Sequence, residues 1–471
     1  MLRFYNTLTA RTEDFIPLED RKVRMYICGP TVYGFAHIGN FRTFLFGDIL
    51  RRHIRHSGYE LLHVMNITDV DDKTIRNSIA AGLSLREFTD QYIAAFHEDC
   101  QRLRLEQPEL VVRATDHIQE MAHAIKQLQD KGFTYTSEGS IYYRIANFAN
   151  YGKLSKIDVE GMMAGARVDN DEYEKADARD FVLWKAPKEG EPFWETEIGP
   201  GRPGWHIECS VMAGKYLGDT FDIHAGGVDL AFPHHENEIA QSEALTGKQF
   251  VRYWLHAEHL LVDGQKMSKS LGNFYTLRDL LDKGYSAESI RYLLSSVPYR
   301  KQLNFTLEGL RQASAAIERL RNFRFRLANS DIPEGVHTEI QAKAAAFPSA
   351  MRDALDDDLN TAAAHGALFE LVRDANTAID AGQLRKSNVA GLLAAIDEWN
   401  IIFDVMPLES GIGAGNSNGR LSPEQVEAKL AARVDARKQR QFALADQIRD
   451  ELIEAGIIIE DSKGGSRWRY K

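Results

Sequence analysis

Residues 22 to 68 constrain the fold most. KVRMYI, 22–27, is a short apolar run of strand length, and Gly29-Pro30 breaks the chain directly after it. FRTFLFGDILRRHIRH, 41–56, spaces Phe44, Leu45, Ile49 and Leu50 at helical intervals, and Gly58 follows as a stop. YELLHVMNIT, 59–68, reads as a second strand. Strand, loop, helix and strand in this order form a βαβ unit, which commits the chain to parallel strands. Ligands of such sheets bind beyond the carboxyl ends of the strands. The loop CGPTVYGFAHIGN, 28–40, lies at such an end, with Asn40 at the helix start, a position suited to phosphate.

The rest of the chain reads as further layers on this unit. Helix is expected near 82–105 and again over HIQEMAHAIKQLQDKG, which leads into a hairpin around Glu138-Gly139-Ser140. The charged stretch VDNDEYEKADARD, 168–180, reads as exposed. The region 116–200 is therefore expected to be an insertion that splits the parallel sheet, whose first half is 1–115 and whose second half is 201–305. In that second half GWHIECSVMAGKYLG and TFDIHAGG read as helix then strand, and PHHENEIAQSEAL as a helix with Pro233 in its first turn. Residues 306–405 read as a helical bundle, GIGAGNSNG at 411–419 as a linker, and 406–471 as a linker plus a small separate domain. The expected fold class is α/β: a Rossmann-like parallel-sheet domain with an insertion, then a helical bundle and a small C-terminal domain.

Composition excludes some classes of function. No run of about 18 apolar residues is present, so no membrane span is expected. The first residues carry acids early and do not resemble a secretory signal. Three cysteines in 471 residues suggest a reducing compartment, so a cytoplasmic location is expected. A net charge of -11 argues against nucleic-acid binding over the whole surface but leaves room for a local basic patch.

Cys28 and Cys209 stand at element junctions around the expected crevice, Cys209 ahead of a helix. His234 and Glu238, four apart on one expected helix, share a face. Two thiolates, an imidazole and a carboxylate make a zinc-type donor set. Spacing alone leaves other readings open: small core cysteines, a capping histidine, or a Cys28–Cys209 disulfide. Cys100, inside an expected helix, reads as structural. Asp69, Asp71 and Asp72 could hold Mg²⁺, but acids at a helix N-terminus are the commoner pattern.

A second motif, KMSKS at 266–270, lies between Gly264 and Gly272. Together with CGPTVYGFAHIGN, in this order and around an α/β core, it resembles the two signatures of class I aminoacyl-tRNA synthetases. Cys28 before Gly-Pro-Thr-Val-Tyr, the HIGN form, GWHIECS at 204–210 and HAGGVDLAFPHHENEIAQ at 224–241 resemble the cysteinyl members of that class. The likeness runs from Tyr5-Asn6-Thr7 to Trp468-Arg469. Asn40 replaces the last histidine of the general pattern, a variant familiar in this family.

The resemblance implies activation of L-cysteine with ATP to cysteinyl-adenylate, then transfer to the 3′-terminal adenosine of tRNA(Cys). It implies one Zn²⁺ held by Cys28, Cys209, His234 and Glu238, and Mg²⁺ with ATP. It implies ATP contacts by His37, Gly39, Asn40, Lys269 and Asp229, with His37, Asn40, Lys266 and Lys269 acting on the phosphates. Trp205 and His224 are placed beside the amino acid. A substrate carboxylate is already a nucleophile, so no general base is required. Zinc would read sulfur against oxygen directly, so no editing domain is expected. Arg433, Arg437, Lys438, Arg440, Arg449, Arg467, Trp468, Arg469 and Lys471 give the tail cations and a stacking plane suited to unpaired bases, although an ordinary amphipathic helix fits as well. A monomer is expected. The rival reading is a cysteine ligase acting on an amino sugar, which would not need the residues after about 406.

Overall fold

The structure is a computed structural model that describes residues 1–156, 180–406, 423–439, 441–462 and 465–470. It divides into two compact units, Met1–Met406 and Pro407–Lys471. The first opens with a hairpin, β1 (Arg3–Asn6) and β2 (Arg11–Asp14), and then forms β3 (Lys22–Ile27), α1 (Ile38–His56) and β4 (Glu60–Ile67). Next come α2 (Asp72–Ala81), α3 (Leu85–Arg102) and β5 (Leu110–Arg113). α4 (Ile118–Asp130) precedes β6 (Thr134–Ser137), β7 (Ser140–Tyr143), β8 (Phe181–Lys185) and β9 (Arg202–Pro203). The chain then returns through α5 (Trp205–Leu217), β10 (Phe221–Gly227), α6 (Glu236–Thr246) and β11 (Val251–Ala257).

The central sheet is parallel throughout, in the order β11-β10-β3-β4-β5. The first three of its strands in sequence run outward from β3 in one direction. β10 then pairs with the other side of β3. The sheet thus reverses its winding between β3 and β10, and at such a switch point two loops diverge and leave a crevice. The parallel-sheet, Rossmann-like architecture expected from residues 22–68 is what the chain adopts. Between the two halves, β6-β7-β8-β9 form an antiparallel sheet of their own.

Side-chain alternation sorts the sheet into two cores. Val23, Met25 and Ile27 join α1 and the helices that follow the sheet, whereas Tyr26 and Cys28 face the core shared with α5, α6, β7 and β8. β12 (Leu260–Val262), β13 (Gln265–Lys266), α7 (Leu277–Asp282), α8 (Ala287–Ser295) and β14 (Leu303–Phe305) link the sheet to four long helices. These are α9 (Leu307–Asn329), α10 (Thr338–Asp356), α11 (Thr361–Asp380) and α12 (Lys386–Phe403), within the span read as a helical bundle. No described helix is long and apolar enough to cross a membrane.

Some local expectations change. The helix expected from residue 41 begins at Ile38, because His37 caps it. Cys209 is not ahead of a helix but the fifth residue of α5. Pro233 does not open a regular helix; Ala231–His235 form a wider π-type turn with Phe232 extended, and α6 begins at Glu236. The stretch read as exposed, 168–180, lies outside the described residues except for Asp180, which is buried and accepts a hydrogen bond from the Ile145 amide. The linker at 411–419 also lies outside them.

The second unit holds α13 (Pro423–Lys438), α14 (Phe442–Glu454) and the hairpin β15 (Ile457–Ser462) with β16 (Gly465–Tyr470). Trp468 does not stand free as a stacking plane: it packs on the core of Val426, Leu430, Ile448, Leu452 and Ile457, and its indole N–H donates to Glu427. Arg433 is buried rather than on a solvated face. Arg440 and Lys471, and the side chains of Arg467 and Arg469, lie outside the described residues.

A buried ion pair fastens the long helices to the sheet. Arg291 of α8 is 1 % exposed and donates to Asp48 of α1 and to the carbonyls of Leu103 and Phe403. Its removal would leave Asp48 with Arg52 as its remaining ion-pair partner and take a donor from the carbonyls of Leu103, Arg104 and Phe403. Arg291→Met is therefore expected to destabilise the chain by about 2–3 kcal/mol, read as a lower urea midpoint at unchanged slope.

Candidate metal centre and nucleotide crevice

The crevice at the switch point has two ends, and local geometry explains each. At one end β3 runs out at Ile27 and the next residue, Cys28, points to the face of Tyr26 by alternation. α5 packs on that face and turns Cys209 toward it, with Cys28 Sγ and Cys209 Sγ 3.8 Å apart and both thiols free. The turn after β10 delivers His234, and the first turn of α6 delivers Glu238; His234 Nε2 is 3.1 Å from Glu238 Oε1. The donor atoms of Cys28, Cys209, His234 and Glu238 all lie within 4.8 Å of one another, and all four residues are buried. The sequence proposed these four, and the fold brings them together from three separate segments. A disulfide is not formed.

The structure adds a second, overlapping group: Cys28, His224, His235 and Glu238 satisfy the same distance limit. His224 sits on β10 between its strand neighbours Tyr26 and Trp254, stacked on Trp254 with centroids 4.6 Å apart. Its Nε2 lies 2.9 Å from Glu238 Oε2. The carboxylate is thus held at one oxygen by His224 and approached at the other by His234. Burial would push Glu238 up, but these two imidazoles outweigh it and bring its pKa to about 2. Burial works against a charged His234 as well, yet Glu238 and Cys209 raise it to about 10. A buried thiol pair and a carboxylate therefore demand positive charge at this point, which is the chemistry of a site for a thiophilic dication.

Further groups set these side chains. His206 Nδ1 meets His234 Nδ1 at 2.9 Å, and Gln241 Nε2 donates to the His206 carbonyl. His235 Nε2 lies 3.4 Å from Cys28 Sγ, His235 Nδ1 meets His256 Nε2 at 2.8 Å, and His256 Nδ1 meets Thr7 Oγ1 at 2.8 Å. None of His206, His235, His256 or Thr7 was singled out from sequence. The doubled histidine at 234–235 is the one local signal, and alternation along VRYWLHA would have put His256 on the face of Trp254. Trp205 stacks on His234 at 4.1 Å and, with His206, lines a cavity of about 130 Å³.

At the other end the signature loop is fixed by close approach. A Cβ on Gly29 would fall 1.7 Å from the Asn66 carbonyl oxygen, so only glycine fits there. Gly29 N donates to Asn66 Oδ1, Asn66 Nδ2 to Thr68 Oγ1, and Thr68 Oγ1 to Glu208 Oε2. His37 and Asn40 form a reciprocal capping box: Asn40 N donates to His37 Nδ1 at 3.2 Å and His37 N to Asn40 Oδ1 at 3.0 Å. The loop of the second signature lies against this cap. Ile38 N donates to the Tyr275 carbonyl, and a Cβ on Gly39 would lie 3.3 Å from the Met267 methyl. Lys266 is exposed at the end of β13, and Lys269 opens a short 3-10 turn, its side chain outside the described residues. Asp229 is exposed in the turn after β10.

The three aspartates are taken by the fold. Asp71 caps α2 through the Lys73 and Thr74 amides, Asp69 accepts from Thr115, and Asp72 pairs with Lys185 and Arg202. The helix-terminus reading holds for Asp71.

This fold and crevice are those of a class I aminoacyl-tRNA synthetase. Residues 14–315 match the family described as tRNA synthetases class I (C) catalytic domain, 350–406 the DALR domain, and 421–469 the cysteinyl-tRNA ligase anticodon binding domain. Among solved structures, the chain is similar to Mycobacterium tuberculosis methionyl-tRNA synthetase bound by methionyl-adenylate, with a TM-score of 0.61 at 14% identity over 81% of this chain and 90% of that one. It is 60% identical to the cysteine–tRNA ligase of Solibacter usitatus and 53% identical to that of Koribacter versatilis, each alignment covering 100% of both chains. The chain belongs to the cysteine–tRNA ligase family.

His224 offers a test of the cage that leaves Cys28, Cys209, His234 and Glu238 in place. His224→Ala frees one oxygen of Glu238, and its zinc affinity is expected to fall about 10- to 100-fold, measured by competition with a chromophoric chelator.

Proposed function

We propose that this chain activates L-cysteine with ATP, releasing pyrophosphate, and transfers the cysteinyl group to the 3′-terminal adenosine of tRNA(Cys). The convergence of Cys28, Cys209, His234 and Glu238 at the switch point, in a chain of this family, carries the reading. The donor set suits Zn²⁺: two soft sulfurs, one imidazole and one oxygen. When bound, the zinc supplies a Lewis acid that favours a sulfur anion over a neutral hydroxyl. Serine differs from cysteine by that atom alone, and a pocket judging only shape would gain roughly 10- to 200-fold. A centre that reads the atom makes a second, hydrolytic site unnecessary.

The chain's own groups do the rest. Trp205, stacked on His234, walls the amino-acid side of the crevice. His224 keeps the Glu238 carboxylate turned toward the other donors. With its oxygen committed to the cap, Asn40 has its Nδ2 donor for a phosphate, next to the first amides of α1. His37 holds that geometry as N-cap and donates to the nucleotide. The amino-acid carboxylate attacks the α-phosphorus in line, so the barrier is one of position and of charge growing on phosphate oxygens. Lys266 and Lys269, on the loop seated beside Gly39, stabilise the departing pyrophosphate, which carries Mg²⁺. Asp229 receives a ribose hydroxyl. For the second step no side chain in the crevice is assigned as base; the phosphate of the adenylate takes the proton. The C-terminal match to an anticodon binding domain supports tRNA over an amino sugar as acceptor.

Cysteine-dependent ATP–pyrophosphate exchange is the expected activity, with serine at background and loss on treatment with a zinc chelator. His37→Ala is expected to lower the exchange rate about 100- to 1,000-fold. A chain ending at Met406 is expected to retain exchange and lose tRNA charging. No exchange with cysteine would remove this reading, and exchange with an amino sugar but not tRNA as acceptor would favour the rival ligase.

A further inference from the structure

The loop of the second signature is clasped by a side chain with no role so far. β12 turns into β13 at Asp263 and Gly264, both with positive φ (49° and 76°), the pattern of a tight two-residue hairpin. Asp263 N donates to the Phe305 carbonyl at 3.0 Å and Gly264 N to Asn304 Oδ1 at 2.7 Å, so the stem is tied to β14. Beyond the stem, Ser268 N donates to Asn273 Oδ1 at 2.8 Å, and Asn273 Nδ2 donates to the Lys266 carbonyl at 3.3 Å. Chemistry fixes this orientation of the amide, because an N–H needs an acceptor and a carbonyl needs a donor. One side chain therefore bridges the two backbone groups that flank Met267.

What it holds is the contact between the signatures. Met267 packs on the main core beside Gly39. Phe274, next in sequence to Asn273, sets its ring edge-on to His37 at 5.2 Å, and Tyr275 accepts from Ile38 N. Asn273 closes the loop at the point where its backbone meets the cap of α1. Gly272, at φ 67°, gives the turn that lets it reach back.

We propose that Asn273 is a positioning residue: it fixes the Lys266–Ser270 loop in the geometry that presents its lysines to the nucleotide phosphates. The inference rests on the function proposed above. Asn273 touches no substrate in this account and acts through the loop backbone. The effect falls on the step in which charge builds on the phosphates and not on binding of the amino acid at the far end of the crevice.

The test uses the full chain with Asn273→Ala. The kcat of cysteine-dependent pyrophosphate exchange is expected to fall about 10- to 100-fold, with the KM for cysteine within about twofold and the melting midpoint unchanged. Trypsin is expected to cut after Lys266 and Lys269 faster than in the parent. Asn273→Asp, which keeps the acceptor for Ser268 N–H, should slow that cleavage again. Parent-like kcat and cleavage in Asn273→Ala would overturn the proposal. So would a loss of kcat matched by a raised cysteine KM and a lower melting midpoint, or an Asp variant cut as fast as Ala. Absence of exchange in the parent would instead count against the proposed reaction, and the cleavage comparison would still decide whether Asn273 clasps the loop.

Discussion

A carboxylate with no exposed surface is costly unless its charge is met on every side, and Glu238 is such a group. The fold meets it from two strands and a turn. His224 comes from β10, His234 from the turn that follows, and Cys28 from the end of β3. These elements adjoin only because β10 pairs with β3, on the side away from β4. A swap of sheet order would separate them. The reversal of winding is therefore a requirement of the cage, and the row Tyr26–His224–Trp254 across three adjacent strands packs it from beneath.

The same reversal places the two ends of the crevice on one loop. Cys28 and His37 lie nine residues apart, one in the cage and the other capping α1. The segment between them is pinned along its length. Gly29 sits against Asn66, Val32 N donates to the Thr68 carbonyl, and Thr68 in turn donates to Glu208, the neighbour of Cys209. The loop is thus anchored at both the sulfur end and the phosphate end, and at its middle to β4. Two reactants that must meet at one atom need a surface that does not stretch between their sites.

The parts legible in sequence were those set by local pattern. β3 and β4 announced themselves by apolar runs, α1 by its helical spacing, and the hairpin at 138–140 by its turn. Cys28 was legible because it ends a strand beside a Gly-Pro break. What stayed hidden depends on contacts between distant segments. The chain Thr7–His256–His235 joins residues almost 250 apart, and beyond the doubled histidine at 234–235 and the alternation around His256 no local pattern marks it. Cys209 looked like a residue at a junction because the apolar run of α5 gives little contrast between its faces; inside the helix it faces the sheet. Asn40 looked like a phosphate ligand, and its oxygen is also half of a capping box, a role that residue identity alone does not separate from ligand binding. Trp468 and Arg433 looked exposed because charge surrounds them, but a hairpin over two helices has so little apolar surface that it draws on both.

That last point bears on how the chain divides its work. Among its described residues, unit Pro407–Lys471 has a core cluster of five buried apolar side chains, and Trp468 is spent on covering it. A domain of this size is marginal without such cover. Its aromatic ring serves the unit's stability, and the exposed aromatic ring among the unit's described residues is that of Phe442. The cage and the capped helix, by contrast, lie wholly within Met1–Met406. The residues proposed to select sulfur and those proposed to hold phosphate fold together, and the C-terminal match to an anticodon binding domain lies in a separate unit. In the proposed reaction, amino-acid choice and RNA choice are then independent in their physical basis: one rests on the identity of a donor atom in a buried cage, the other on a surface that folds around its own small core.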